Sequence, residues 1–121
     1  MVFIVEDEDT LRRILEYALG KMYRVASSGN GTEALKMIRD LVPDVVISGI
    51  KMPGLNGWEL YEALRGSEDT ATIRFVLFTL THGLHAKAKQ LGMDAYVPKP
   101  TSLDQLLDVL EDLLKDRYTS S

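Results

Sequence analysis

A doubly wound α/β domain on a five-stranded parallel sheet is the fold class this sequence predicts, and three observations predict it. Five short apolar runs recur: "VFIV" at 2–5, "YRVA" at 23–26, "DVVIS" at 44–48, "RFVLFTL" at 74–80 and "AYV" at 95–97. Several are continuous rather than alternating, which suits strands buried on both faces of a parallel sheet. Segments of helical spacing lie between them, so strand and helix alternate five times, the pattern of right-handed crossovers.

Each helix has its own signal. Leu11, Ile14, Leu15, Ala18 and Met22 fall at i, i+3, i+4, i+7 and i+11, one apolar stripe. Shorter helices are expected at 31–41 ("GTEALKMIRDL"), 58–66 and 84–91, with "LGK" and "LGM" near helix ends. Ser102 and Gln105 make a capping-box start for the last helix, whose stripe is Leu103, Leu106, Leu107, Leu110, Leu113 and Leu114. Residues 1–118 read as one domain, and 119–121 as a tail or the stub of a linker.

Composition narrows the function. The chain has 121 residues, 45% hydrophobic and 26% charged, ordinary values for a single globular domain. A net charge of −4 argues against direct nucleic-acid binding, which needs clustered Lys and Arg. With no Cys, neither a disulfide framework nor a thiolate metal site is available. The opening "MVFIVEDED" turns acidic after five residues, too short an apolar run for a signal peptide or membrane span. A cytoplasmic location is the expectation.

In doubly wound sheets, ligands bind beyond the carboxyl ends of the strands. That rule selects Glu6, Asp7, Glu8 and Asp9 after the first run, and Gly49, Ile50, Lys51 and Met52 after the third. It adds Thr79, Thr81, His82 and Gly83 from the fourth, and Lys99 and Pro100 from the fifth. Carboxylates on one loop, a hydroxyl on another and a lone ammonium on a third suit a divalent cation beside an anionic group.

These residues in this order resemble the receiver domain of bacterial two-component response regulators. "FIVEDED", "PDVVISGIKMPGLNGWEL", "FVLFTLT" and "GMDAYVPKP" match four motifs in register across essentially the whole chain. The resemblance implies a flavodoxin-like sheet of order 2-1-3-4-5 with five helices. It implies that Glu6 and Asp7 form the Mg²⁺-binding acidic pair, with the backbone carbonyl of Lys51 as a further ligand. Thr79 and Lys99 would hold phosphoryl oxygens, Tyr96 would be the switch aromatic, and Lys99–Pro100 would be a cis bond. The implied partners are proteins: a histidine kinase, an output protein or domain, or a second copy. The last would meet the face built from the fourth helix, fifth strand and fifth helix.

The sequence also departs from the family. Gly49 stands where the resemblance places the phospho-accepting Asp, and glycine can neither attack phosphorus nor hold an acyl phosphate. Ser48 would point to the opposite face of its strand, and Asp44 lies at the strand's other end. Phosphorylation is therefore expected to be lost and Mg²⁺ binding to be weak or absent. Glu6 replaces the usual Asp, Leu80 a usual small residue and Thr101 a usual aromatic, while a shortened Thr79–Tyr96 segment trims the fourth helix or its loop.

Blander readings stand beside these. "EDED" suits a solvated first helical turn, and a lone Lys before Pro suits a surface turn. His82 and His85 read as exposed, Lys51 as a solvated loop side chain, and Trp58 as partly buried packing beside the loop. The overall expectation is a non-enzymatic receiver with a degenerate site, acting through phosphorylation-independent contacts. The alternative is a phosphorylation-competent receiver, either with an unrecognised acceptor or with an Asp replaced by Gly in the laboratory. A flavin or nucleotide binder is disfavoured, because no Gly-rich loop follows the first strand.

Overall fold

Phe3 and Val5 face one side of the sheet, Val2 and Ile4 the other, and this alternation organises the molecule. The computed structural model describes residues 1–81, 83–99 and 103–118. The strands are β1 (Val2–Val5), β2 (Val25–Ser28), β3 (Val45–Ser48), β4 (Arg74–Thr79) and β5 (Ala95–Pro98). The helices are α1 (Asp9–Gly20), α2 (Gly31–Leu41), α3 (Gly57–Arg65), α4 (His85–Leu91) and α5 (Leu103–Tyr118). All pairings are parallel, in the order β2-β1-β3-β4-β5, as expected for the flavodoxin-like class.

Two cores result. Phe3, Val5, Val46, Phe75 and Leu77 pack against Ala34 and Ile38 of α2, Leu60 and Leu64 of α3, and Ala88 of α4. Val2, Ile4, Val45, Ile47, Val76, Phe78 and Val97 pack against Leu15 and Leu19 of α1 and Leu106, Leu110 and Leu114 of α5. Both faces of β1 and β3 are covered, which explains their unbroken apolar runs.

Some boundaries differ from the sequence expectation. The second strand begins at Val25, not Tyr23, because Val2 pairs with Val25 while Tyr23 still donates its N–H to the Leu19 carbonyl at the end of α1. Ile14 (48% exposed) and Met22 (58%) lie off the core, and Leu19 takes the buried place in that stripe. Met22 falls in the turn after Gly20, where the helical period no longer applies. The fourth strand ends at Thr79, leaving Leu80 67% exposed. The fourth helix, α4, has seven residues. The capping box at Ser102, the Lys99–Pro100 bond, Thr101, His82 and the 119–121 tail lie outside the described residues.

The loop between β3 and α3 is pinned by close backbone approach. Gly31 N–H donates to the Pro53 carbonyl and Gly57 N–H to the Ile50 carbonyl, each at 2.8 Å. A Cβ on Gly31 would lie 1.9 Å from the Leu55 oxygen, and one on Gly57 2.2 Å from the Gly49 oxygen. Only glycine fits at either point. Asn30 caps α2, accepting from Thr32 and Glu33 N–H. Asn56 and Glu59 form a reciprocal capping box that starts α3.

Candidate functional site

Three backbone bonds align the carboxyl ends of the strands. Glu6 N–H donates to Ser28, Gly49 N–H to Val5 and Lys99 N–H to Thr79, at 3.1, 3.1 and 2.7 Å. The residues that follow the strands therefore converge. Glu6, Asp7, Gly49, Lys51, Thr79 and Lys99 line one cleft of ≈ 270 Å³, together with Ile50, Phe78, Leu80 and Thr81. Tyr96 stands apart, lining a neighbouring depression with His85, Ala88 and Met93.

Glu6 is 4% exposed and its carboxylate is occupied at both oxygens. Oε1 pairs with the Lys99 ammonium, and Oε2 accepts the Glu8 N–H at 3.0 Å. Asp7 and Lys51 are exposed at the rim. The ammonium of Lys99 also lies 5.0 Å from the Phe78 ring centroid, a cation–π distance.

Gly49 is not in the left-handed region of backbone space. A Cβ built there would meet nothing nearer than the Phe78 carbonyl oxygen at 3.6 Å, an ordinary contact. The backbone thus does not require glycine at this position. Ser48 is fully buried, its hydroxyl donating to the Gly49 carbonyl at 2.8 Å and lying near the Met52 sulfur, which packs on the α2–α4 side.

Thr79 is buried at the head of β4, and its Oγ1 accepts the Thr81 N–H at 3.2 Å. The Thr81 carbonyl accepts the Tyr96 hydroxyl at 2.7 Å. One residue of loop thus links the cleft hydroxyl to the aromatic on β5. Trp58 is half-buried against the first core, with the Lys87 ammonium 4.2 Å from its ring centroid. His85 is exposed, its ring 6.4 Å from that of Tyr96.

Sequence reasoning missed Arg12. It donates to the Glu6 carbonyl at 2.8 Å and to Asp9 Oδ1 at 2.6 Å, bracing the acidic loop from α1. The i, i+3 spacing of Asp9 and Arg12 was the available signal. It also missed Phe78, whose ring lies under Lys99, because nothing in a continuous apolar strand marks one aromatic as special.

A parallel sheet of this order, with acid, hydroxyl and ammonium gathered at its carboxyl end, defines a receiver-type signalling domain. The chain belongs to the response regulator receiver domain family, whose description matches residues 2–111. It is 35% identical over 108 residues to the probable transcriptional regulator ycf27 of Guillardia theta, covering 87% of this chain and 41% of that protein. It overlays the receiver domain of a signal transduction histidine kinase from Syntrophus aciditrophicus with a TM-score of 0.86 at 28% identity, covering 99% and 93% of the two chains. The receiver domain of sensor histidine kinase PA1611 from Pseudomonas aeruginosa, 22% identical, shares the fold with a TM-score of 0.84 over 93% of this chain and 95% of its own. It holds a magnesium ion in its active-site cleft. The chain spans from 8% to half of the length of the curated relatives it matches. Receiver domains of this family act in two-component signalling with histidine kinases and output domains. Among the described residues no helix is long and apolar enough to cross a membrane.

Proposed function

We propose that this receiver passes on its signal through protein contacts without being phosphorylated. The observation that carries the reading is Gly49, a residue without a side chain at the place in the cleft where the resemblance puts the acceptor Asp. Phosphoryl transfer to a receiver needs a carboxylate oxygen that attacks phosphorus and keeps the resulting acyl phosphate. The buried Glu6 carboxylate is taken up by Lys99 and Glu8, and the Ser48 hydroxyl is turned toward the Gly49 carbonyl. On this reading the domain is no enzyme, even of its own phosphorylation, and Mg²⁺ binding is weak or absent.

The Thr79–Thr81–Tyr96 link supports a conformation that stands without phosphate. With no ligand to favour one state, the population stays where the intrinsic energies place it. The face of α4, β5 and α5 is the contact surface this reading assigns to a kinase, an output protein or a second copy.

The test is incubation with a small phosphodonor and Mg²⁺, read by intact mass. The protein should gain nothing, whereas Gly49→Asp should gain one phosphate, because the space for its side chain is present. A phosphate on the unaltered chain overturns the proposal and points to an unrecognised acceptor. The open space at Gly49 favours one second reading, an otherwise complete receiver whose Asp was replaced. The codon at position 49 in the source genome decides between them.

A further inference from the structure

The residues that the resemblance assigns to Mg²⁺ do not fit the ion as they stand. Mg²⁺ gives up its water reluctantly and is held by one or two carboxylates together with phosphate oxygens. Both oxygens of Glu6 are engaged, Gly49 offers no side chain, and Asp7 alone presents an exposed carboxylate. Among the described residues no group of three His, Asp or Glu side chains is placed to hold a metal. We infer that Lys99 is the resident cation of this cleft, taking Glu6 as its lasting partner and keeping divalent metal out.

The pleat of the sheet explains the pairing. Ala95 and Val97 face the α1–α5 side, and Lys99, two residues on, sends its ammonium along the same side over Phe78. Val2 and Ile4 face that side as well, and Glu6 follows them in register. Position 49 directly follows β3, the strand between β1 and β4 in the sheet, and its missing side chain leaves the passage open. Glutamate, one methylene longer than aspartate, adds reach toward the ammonium.

Burial makes the pair hard to give up. The side chains of Lys99 and Glu6 are 15% and 5% exposed, so either charge left alone would be poorly solvated. Glu6 in this chain is therefore a partner for Lys99 rather than half of a metal site. This inference rests on the reading of Gly49 as a position without an acceptor, since an Asp there would compete for the ammonium and release Glu6.

The experiment uses Lys99→Met, Glu6→Gln and the double variant, each melted with and without Mg²⁺. The unaltered protein should show no Mg²⁺-dependent change in Tm. Lys99→Met should melt about 10 °C lower, because removing one partner strands a buried charge. Mg²⁺ should restore much of that loss, binding this variant at least about tenfold more tightly than the unaltered chain, because Glu6 is now free to join Asp7. The double variant should melt above Lys99→Met and ignore Mg²⁺. Equal Mg²⁺ stabilisation of the unaltered chain and Lys99→Met would overturn the inference.

Should Lys99→Met fail to fold under any condition, the Glu8 amide of the unaltered protein is the second readout. Its NMR shift should stay fixed through a Mg²⁺ titration, and a saturable shift would show that metal reaches Glu6 and overturn the inference. Phosphate incorporation into the unaltered chain would refute the proposed function while leaving these metal results to stand or fall separately.

Discussion

The two sides of the cleft are held in different ways. On the β3–α3 side, the backbones of Gly31 and Gly57 press against neighbouring carbonyls, Gly54 adopts φ +76°, and two side-chain caps start α2 and α3. On the β4–β5 side, α4 has Leu84 at its N-cap, which supplies no side-chain hydrogen bond, and buries only Ala88, and Leu80 stands in solvent. The side that carries Gly49 is fixed by close backbone approach. The α4 end, with a single buried residue and no side-chain cap, is of the kind that rearranges at lower free-energy cost. A Cβ at Gly49 would meet only an ordinary contact, so the scaffold around that position has room for a side chain.

The largest expected effect breaks the rigid side. Gly31→Ala would put a methyl 1.9 Å from the Leu55 oxygen, so the α2 start and the loop must separate. Urea unfolding should show a loss of about 3 kcal/mol or more, the range of overpacking and strain at a special backbone site. Gly49→Ala should cost less than about 1 kcal/mol on the same assay, because its methyl meets only an ordinary contact. Similar losses for the two variants would mean that position 49 is as tightly built as position 31.

A smaller effect sharpens the contrast between caps. Asn56→Ala removes the side-chain half of the capping box, the oxygen that accepts the Glu59 N–H, and should cost about 1 kcal/mol in the same measurement. Hydrogen exchange should speed up in the first turn of α3 and leave α4 unchanged. Equal acceleration in both helices would show that the two sides are one cooperative unit.

The smallest effect compares helix ends. Both α2 and α4 finish with a left-handed residue, Gly92 after α4 but Val42 (φ 44°) after α2. A β-branched side chain in that region is strained, and Val42 is 50% exposed, so little burial offsets the strain. Val42→Gly should therefore stabilise by about 0.5–1 kcal/mol after the added unfolded-state entropy is subtracted. A decrease in Tm for Val42→Gly would place the value of Val42 in packing instead.

Much of this molecule was decided by the sequence itself. Continuous apolar runs at 2–5 and 45–48 mark strands buried on both faces, and their alternation with helical stripes leaves one fold class. The residues of the cleft follow from the carboxyl-end rule, because register places Glu6, Gly49, Thr79 and Lys99 at the same end of the sheet. That position 49 brings no side chain to the cleft is legible in a single letter, Gly49. Tertiary structure alone decided the rest. The start of β2 depended on the ladder with β1, which local propensity at Tyr23 and Arg24 does not encode. The demand for glycine at 31 and 57 arises from carbonyls on other segments, more than twenty residues away for Gly31 and at the end of β3 for Gly57. The carboxyl-end rule puts Lys99 at the same end of the sheet as Glu6 and Asp7 without choosing between them. The choice of Glu6, 93 residues distant in the chain, needed the pleat, the burial of both groups and the Glu8 amide that holds the second oxygen. Periodicity reports which face a residue takes; which charge it meets there depends on distances that only the folded chain sets.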